Sequence, residues 1–234
     1  MKSLLLLPLL LLGVNAGPSY TECYSGPNLG GYYVYFDNYA PDLYANGIDN
    51  DIESVYQTGM WIYYENYDYN VAAAGLVYFV HGIDITVNFP GAYSNVMSSL
   101  RFAGSFTALN ADTIAFYEGT SFTGVEYYTE YDAANLGQMA GRASSIIVTG
   151  SSPWTIYTGE GYTGYYWCVY STDHDTGSNG AVLDLGIFPS IVDAGVPDNS
   201  IQSVRKGCWG KRVAKAPELK VDGRQKNGAW GRLE

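Results

Sequence analysis

Histidine, cysteine and basic residues are all scarce in this 234-residue chain, and each scarcity removes a class of function. The two histidines, His81 and His174, stand far apart, and no metal-ligand spacing surrounds either. No Gly-x-Ser-x-Gly and no phosphate-cradling glycine loop occurs, so the sequence presents no catalytic constellation. Three cysteines, Cys23, Cys168 and Cys208, are too few for a disulfide-built scaffold. In a secreted chain an odd count implies one bridge plus a free thiol, or an intermolecular bond. Cys168 with Cys208 is the favoured pair, since both fall in the second half. There is no Asn-x-Ser/Thr sequon. Beyond the first sixteen residues, no apolar run approaches the roughly 20 residues that a spanning helix needs.

Those first residues, MKSLLLLPLLLLGVNA, have the order of a secretory signal peptide: a charged start, an apolar stretch and small residues ending at Ala16. The reading is a secreted, extracellular protein that begins at about Gly17. Its charge is unevenly spread. Nine of the twelve Lys and Arg residues lie from Arg205 onward, which leaves Arg101 and Arg142 against twenty acidic residues between Gly17 and Ser203. Such a body repels phosphate backbones, so nucleic acid is not an expected partner, and cations are the natural counter-ligands. The end of the chain reads as a disordered cationic extension over 209–234, lying on the acidic body or on an extracellular polyanion. Gly210-Lys211-Arg212 in it is the kind of dibasic site that secretory proteases cut, which leaves a peptide-precursor role open.

What the chain does have is short alternating runs rich in Tyr, Val, Ile and Phe, such as YYVYF at 32–36 and LVYFV at 76–80. Gly, Asn, Asp, Ser and Pro punctuate them, the pattern of an all-β sandwich. The stretch DNDIESV at 49–55 returns as DNSIQSV at 198–204, and two looser copies lie between, SNVMSSL at 94–100 and AGRASSI at 140–146. The sixth position is serine in all four: Ser54, Ser99, Ser145 and Ser203. Ahead of each copy stands a hairpin pattern of aromatic, four residues, aromatic, one residue, glycine. Tyr117-EGTS-Phe122-T-Gly124 and Tyr157-TGEG-Tyr162-T-Gly164 fit fully. Tyr24-SGPN-Leu29-G-Gly31 has leucine in the second slot, and Tyr64-ENYD-Tyr69-N-Val71 lacks the glycine. One unit of roughly 45 residues is used four times.

In this paired pattern of hairpin and downstream serine the chain resembles the βγ-crystallins, from about Tyr20 to Cys208. The resemblance implies two β-sandwich domains of two Greek-key motifs each, over 20–105 and 112–208. It also implies calcium sites. In calcium-binding members the loop before the serine carries two Asn/Asp residues, two variable ones, then Ser/Thr and Ser, and each loop's ligands stand opposite the fifth residue of the partner loop. Hard Ca²⁺ takes six to eight oxygens of mixed origin. Carried over, the first domain offers Asp49, Asn50 and Glu53 in one loop and Ser94, Asn95 and Ser98 in the other. Glu53 puts a carboxylate where a hydroxyl is usual. The second domain keeps Asp198 and Asn199 but has Gln202 at the fifth position, and its other loop has Ala140 and Gly141 before Ser144, so one site there is degenerate. The same residues also suit purely structural turns.

The reading that follows is a secreted, non-enzymatic, calcium-binding protein of structural or storage role, with sites of roughly 10⁻⁶–10⁻³ M affinity, the strongest in the first domain. A homo-oligomer and a matrix contact through the basic tail are its further expected partners. The alternatives are a carrier of a pigment or other hydrophobic ligand, using the 23 tyrosines, and a glycan- or surface-binding module. The insert DHDTGSNG, with Asp173, Asp175 and Asn179, reads as a solvated surface loop.

Overall fold

The computed structural model describes residues 18–216 and the backbone of 229–232. The leader expected over 1–16 and the tail stretches 217–228 and 233–234 lie outside the described residues.

The first repeat opens with β1 (Tyr20–Gly26) and β2 (Gly30–Phe36), paired antiparallel about the first hairpin. β3 (Ser54–Tyr64) ends the first repeat and begins the second, and β4 (Val77–Asn88) runs beside it along its whole length. The register of both breaks where Gly59 meets Gly82, so one pair of strands serves two sheets. β5 (Ser99–Ala103) closes the second repeat. The third repeat holds β6 (Thr113–Tyr117), β7 (Glu126–Thr129) and β8 (Ser145–Thr149). The fourth holds β9 (Trp154–Gly159), β10 (Thr163–Val169), β11 (Asp173–Thr176), β12 (Val182–Phe188) and β13 (Ser203–Lys206). A last strand, β14 (Ala229–Arg232), pairs with Val77–Val80 of β4.

Each repeat lends its third segment to the neighbour's sheet, as a Greek key does. Ala40 of the first repeat bridges Leu100 of the second, and the far half of β4 pairs with the near half of β3. Likewise Ala133 bridges Val204, and β12 pairs with β8. The repeats are therefore interleaved one with two and three with four, and the chain is all-β as the alternating runs imply.

Side-chain alternation along each strand builds three apolar clusters. Trp61, Tyr63, Tyr78 and Val80 join Cys23, Val55, Leu100 and Phe102 in the first. Ile114, Phe116, Ile146, Val148, Trp154 and Val204 form the second. Their alternate neighbours face the other way: Met60, Ile62, Tyr64 and Phe79 meet Tyr117, Phe122, Ile147, Leu185 and Ile187 in a seam between the second and third repeats. This is why MWIYY at 60–64 reads as an unbroken apolar run, since both of its faces are covered.

Two expectations need correction. The insert is not a solvated loop, because Asp173–Thr176 pairs with Val182–Leu185 as a hairpin and Asp175 Oδ2 accepts the Ile83 N–H at 3.1 Å. Nor is the cationic end free from residue 209. Cys168 bonds Cys208, the Cys168 N–H donates to the Arg212 carbonyl at 2.8 Å, and Ala214 is buried in the second core. The chain needs that closure, for Val213 bridges the open edge of β10, which its own sheet leaves unpaired. Cys23 is the free thiol, wholly buried.

Candidate metal centre

The loops that carry the expected ligands are fixed by backbone bonds that recur in every repeat. At position six, each serine hydroxyl donates to a hairpin carbonyl at 2.6 Å: Ser54 to Gly26, Ser99 to Asn66, Ser145 to Gly119 and Ser203 to Gly159. The same oxygens accept at 3.0 Å from the N–H groups of Leu29, Tyr69, Phe122 and Tyr162, the second slot of the hairpin pattern. Those four residues all hold a left-handed backbone, φ 61°, 59°, 64° and 64°. Ser and hairpin thus define one another, which explains why the two patterns travel together.

Position five is equally regular. Its N–H donates to the carbonyl of the hairpin's first tyrosine: Glu53 to Tyr24, Ser98 to Tyr64, Ser144 to Tyr117 and Gln202 to Tyr157, at 2.8–2.9 Å. Position two joins the loops in pairs. The Asn50 N–H donates to the Met97 carbonyl and the Asn95 N–H to that of Ile52, at 2.9 and 3.0 Å. In the second half, Gly141 donates to Ile201 and Asn199 to Ala143, at 2.7 and 3.2 Å. All four donors sit at positive φ, between 52° and 72°, where Asn and Gly are the residues of low cost. Gly141 therefore keeps the shape of the loop while losing the oxygen.

The side chains then differ between the pairs. Asn50 Nδ2 donates to Asp49 Oδ2 at 3.1 Å, and the Tyr67 hydroxyl, from the second repeat's hairpin, donates to the same oxygen at 3.2 Å. Asp49 Oδ1 is buried and has no hydrogen-bond partner. Across the pair, Asn95 Nδ2 donates to Glu53 Oε1 at 2.8 Å, so positions two and five of partner loops do meet. In the second half Asn199 Nδ2 donates to Asp198 Oδ2 at 3.1 Å, repeating the Asn50–Asp49 bond, and both residues are exposed. Ser98 and Ser144 are buried at position five, and Ser94 stands half-buried at position one. Gln202 belongs to the loop whose partner brings Ala140 and Gly141, with no side-chain oxygen from either.

The donor chemistry suits a hard cation in the first pair. An anionic oxygen that is shielded from water and lacks any proton donor is costly to keep, and a divalent ion supplies what it lacks. Among the described residues no three His, Cys, Asp or Glu side chains converge. A cation here would be held by one carboxylate with amide, hydroxyl and carbonyl oxygens, a set that suits Ca²⁺ better than Zn²⁺. Sequence reasoning missed the Tyr67 hydroxyl. Tyr67 lies inside the four-residue span of the second hairpin, at a position with no tyrosine in the other three repeats to mark it.

His174 pairs with Asp184, which also accepts from Asn110 Nδ2 at 2.8 Å, and this contact ties the inserted hairpin to the link between the halves. His81 is remote from it in sequence and stacks near Phe79.

Comparison with known proteins gives the following. The family model of peptidase inhibitor family I36 matches residues 111–178. No curated protein matches the chain. Among solved structures, geodin, a βγ-crystallin from Geodia cydonium, superimposes with TM-score 0.60 at 18% identity, covering 80% of this chain and 98% of its own. A βγ-crystallin from an archaeon aligns at 32% identity over 42% of this chain and 99% of its own, with TM-score 0.33. One from Ciona intestinalis aligns at 22% identity over 40% and 98%, also with TM-score 0.33.

Proposed function

From a chain that is a βγ-crystallin in fold, we propose a secreted, non-enzymatic protein whose paired loops bind Ca²⁺ and whose role outside the cell is structural or storage-like. The two interleaved pairs of repeats are its domains, 20–105 and 112–208. Secretion is supported by the leader-like first sixteen residues and by the Cys168–Cys208 bond, which oxidising compartments favour.

One observation carries the calcium reading: the buried, partnerless Asp49 Oδ1 in a reciprocally bonded loop pair. Asp49 and Asn50, with the Ser98 hydroxyl of the partner loop, would hold the first ion. Asp198 and Asn199 with Ser144 are the corresponding set in the second half. Ser94 and Asn95 with Glu53 make a weaker set, because the Asn95 amide already donates to that carboxylate. Gln202 completes nothing. When bound, the ion supplies a positive charge that joins two loops of an acidic body. An ion that binds only the folded form stabilises it by RT ln(1 + [L]/Kd), about 2.7 kcal/mol at a hundredfold excess over Kd.

Calorimetric titration of the calcium-stripped protein tests this. Saturable heat with a rise in melting temperature is expected for the natural chain, with Asp49→Ala losing the tighter phase. Absence of heat from the natural chain removes the proposal.

A second reading, inhibition of an extracellular peptidase, is favoured by the family match over 111–178. Titration against a panel of secreted peptidases decides it, since a stoichiometric inhibitor leaves a sharp equivalence point.

A further inference from the structure

The seam between the second and third repeats is a pattern that the ends of the molecule repeat. Within it, Arg101 of the second repeat is buried and lies 4.6 Å from the Tyr69 ring centre. Its Nη2 donates across the seam to the carbonyls of Phe122 and Gly124, in the third repeat's hairpin, at 2.7 and 3.1 Å. Counting from each position-six serine, the residue that corresponds to Arg101 in the fourth repeat is Arg205. It lies 5.6 Å from the Tyr162 ring, the counterpart of Tyr69, and 3.9 Å from the Trp209 ring. The fourth repeat therefore carries on its outward sheet face the arginine-on-tyrosine arrangement that the second uses for docking, but no third-repeat hairpin covers it. Trp209 stands 59% exposed beside it, and Tyr166, 6.2 Å from Tyr157 on the same face, stands 38% exposed.

The face that would receive it is also present. The first repeat's hairpin places Leu29 and Gly31 where the third has Phe122 and Gly124, with the same positive φ. Its outward sheet face shows Tyr33 and Tyr35 at 55% and 50% exposure, stacked on Tyr24 and Tyr20. Glu22 lies between them, paired in register with Tyr35. The two faces have opposite charge. No Lys or Arg occurs between Ser3 and Leu100, whereas Arg205, Lys206, Lys211, Arg212 and Lys215 fall within eleven positions in and just after β13. Arg205 and Lys206 are paired with Asp132 and Asp112 at 3.5 and 3.3 Å, while Lys211 and Arg212 are exposed.

We propose that the chain assembles head to tail, the basic aromatic face of β9–β10–β13 docking on the tyrosine and carboxylate face of β1–β2–β3 of the next copy. Arg205 then takes the carbonyls of Leu29 and Gly31 as Arg101 takes those of Phe122 and Gly124. The contact joins two different faces, so it does not close on itself as a two-fold dimer, and copies add in a row. Opposed charges set the register and make the association weaken with salt.

Sedimentation velocity of the mature full-length protein over a concentration series, at low and high ionic strength, tests it with two double variants. Arg205→Glu with Trp209→Ser spoils one face, and Glu22→Lys with Tyr33→Lys spoils the other. The natural chain is expected to form a concentration-dependent ladder of species that salt dissolves. Each double variant alone is expected to need about tenfold or more protein to associate. An equimolar mixture of the two retains one good junction and is expected to stop at a pair of chains. Melting temperatures confirm folding, and Arg205→Gln and Tyr33→Lys singly make the same comparison should a double variant melt early. A natural chain that stays single throughout overturns the proposal, as does assembly indifferent to both variants. Heparin binding lost with Arg205→Glu, in a chain that remains single, assigns the basic face to a polyanion instead.

Discussion

Ser145 accounts for two hairpin groups at once, donating to the Gly119 carbonyl and accepting from the Phe122 N–H, and it is wholly buried. Ser145→Ala leaves both groups unsatisfied inside the protein. Each unmade buried bond costs about 1–3 kcal/mol, so a loss of roughly 2–4 kcal/mol is expected in a urea denaturation midpoint series. Ser200→Ala, whose hydroxyl is exposed and bonds Pro197, is expected to change the midpoint little. At this scale the sequence was most legible. The position-six serine, the paired Asp-Asn and the hairpin aromatics are residues whose local hydrogen bonding is decided by neighbours in the same unit. The meeting of Asn95 with Glu53 across the loops followed from the paired repeats, whereas the Tyr67 hydroxyl on Asp49, which no recurrent position marks, stayed hidden.

Elements follow the same division. Hairpins could be read because their turn chemistry is local, even where a term was missing. Val71 replaces the pattern's glycine, and the backbone there is right-handed at φ −66° rather than positive. The continuous course of β3 through two repeats could not be read, because nothing in SVYQTGMWIYY marks the bend except Gly59. Nor could the return of Lys211–Ala216 onto β10, which depends on an open edge that only the folded sheet creates. Gly150, at the end of β8, shows how tightly the repeat ends are closed. Its φ is 83°, and an added Cβ would stand 2.6 Å from Asp112 Cα and 2.7 Å from Asp112 N. Both are backbone-linked atoms that cannot swing aside. Gly150→Ala combines that clash with left-handed strain and is expected to destabilise by about 1–3 kcal/mol, read from the denaturation midpoint. Gly180→Ala, at the same φ but with open space around it, would show the strain without the clash.

For the whole molecule the decisive feature is the seam, where tyrosines and one arginine replace a plain apolar joint. Arg101 lies 5.2 and 4.7 Å from the Tyr64 and Tyr117 rings, and its Nε donates to the Tyr64 hydroxyl at 2.9 Å. Burial opposes its charge, but the surrounding phenol oxygens and the Glu126 carboxylate hold its pKa above the ordinary range. Burial is also the leading cause that raises the phenols: Tyr39, Tyr64 and Tyr117 in the seam, with Tyr63 and Tyr78 in the first core, all stay protonated well beyond the usual tyrosine range. Cys23 behaves alike, its thiol pushed up by burial to about 12. For each of these groups the unfolded chain loses its proton first, at roughly pH 10 for tyrosine and 8.5 for cysteine. Release of protons then favours the unfolded state, so the stability these groups give is complete below those values and declines as pH climbs toward the raised folded ones. The melting temperature is expected to fall steeply above roughly pH 10, with several phenols titrating together. Tyrosinate absorbance from the buried set should rise in one cooperative step, coincident with loss of near-ultraviolet circular dichroism. Gradual ionisation of every tyrosine in a chain that keeps its dichroism would mean that the seam is open to water, and that the two halves are not joined as the structure has them.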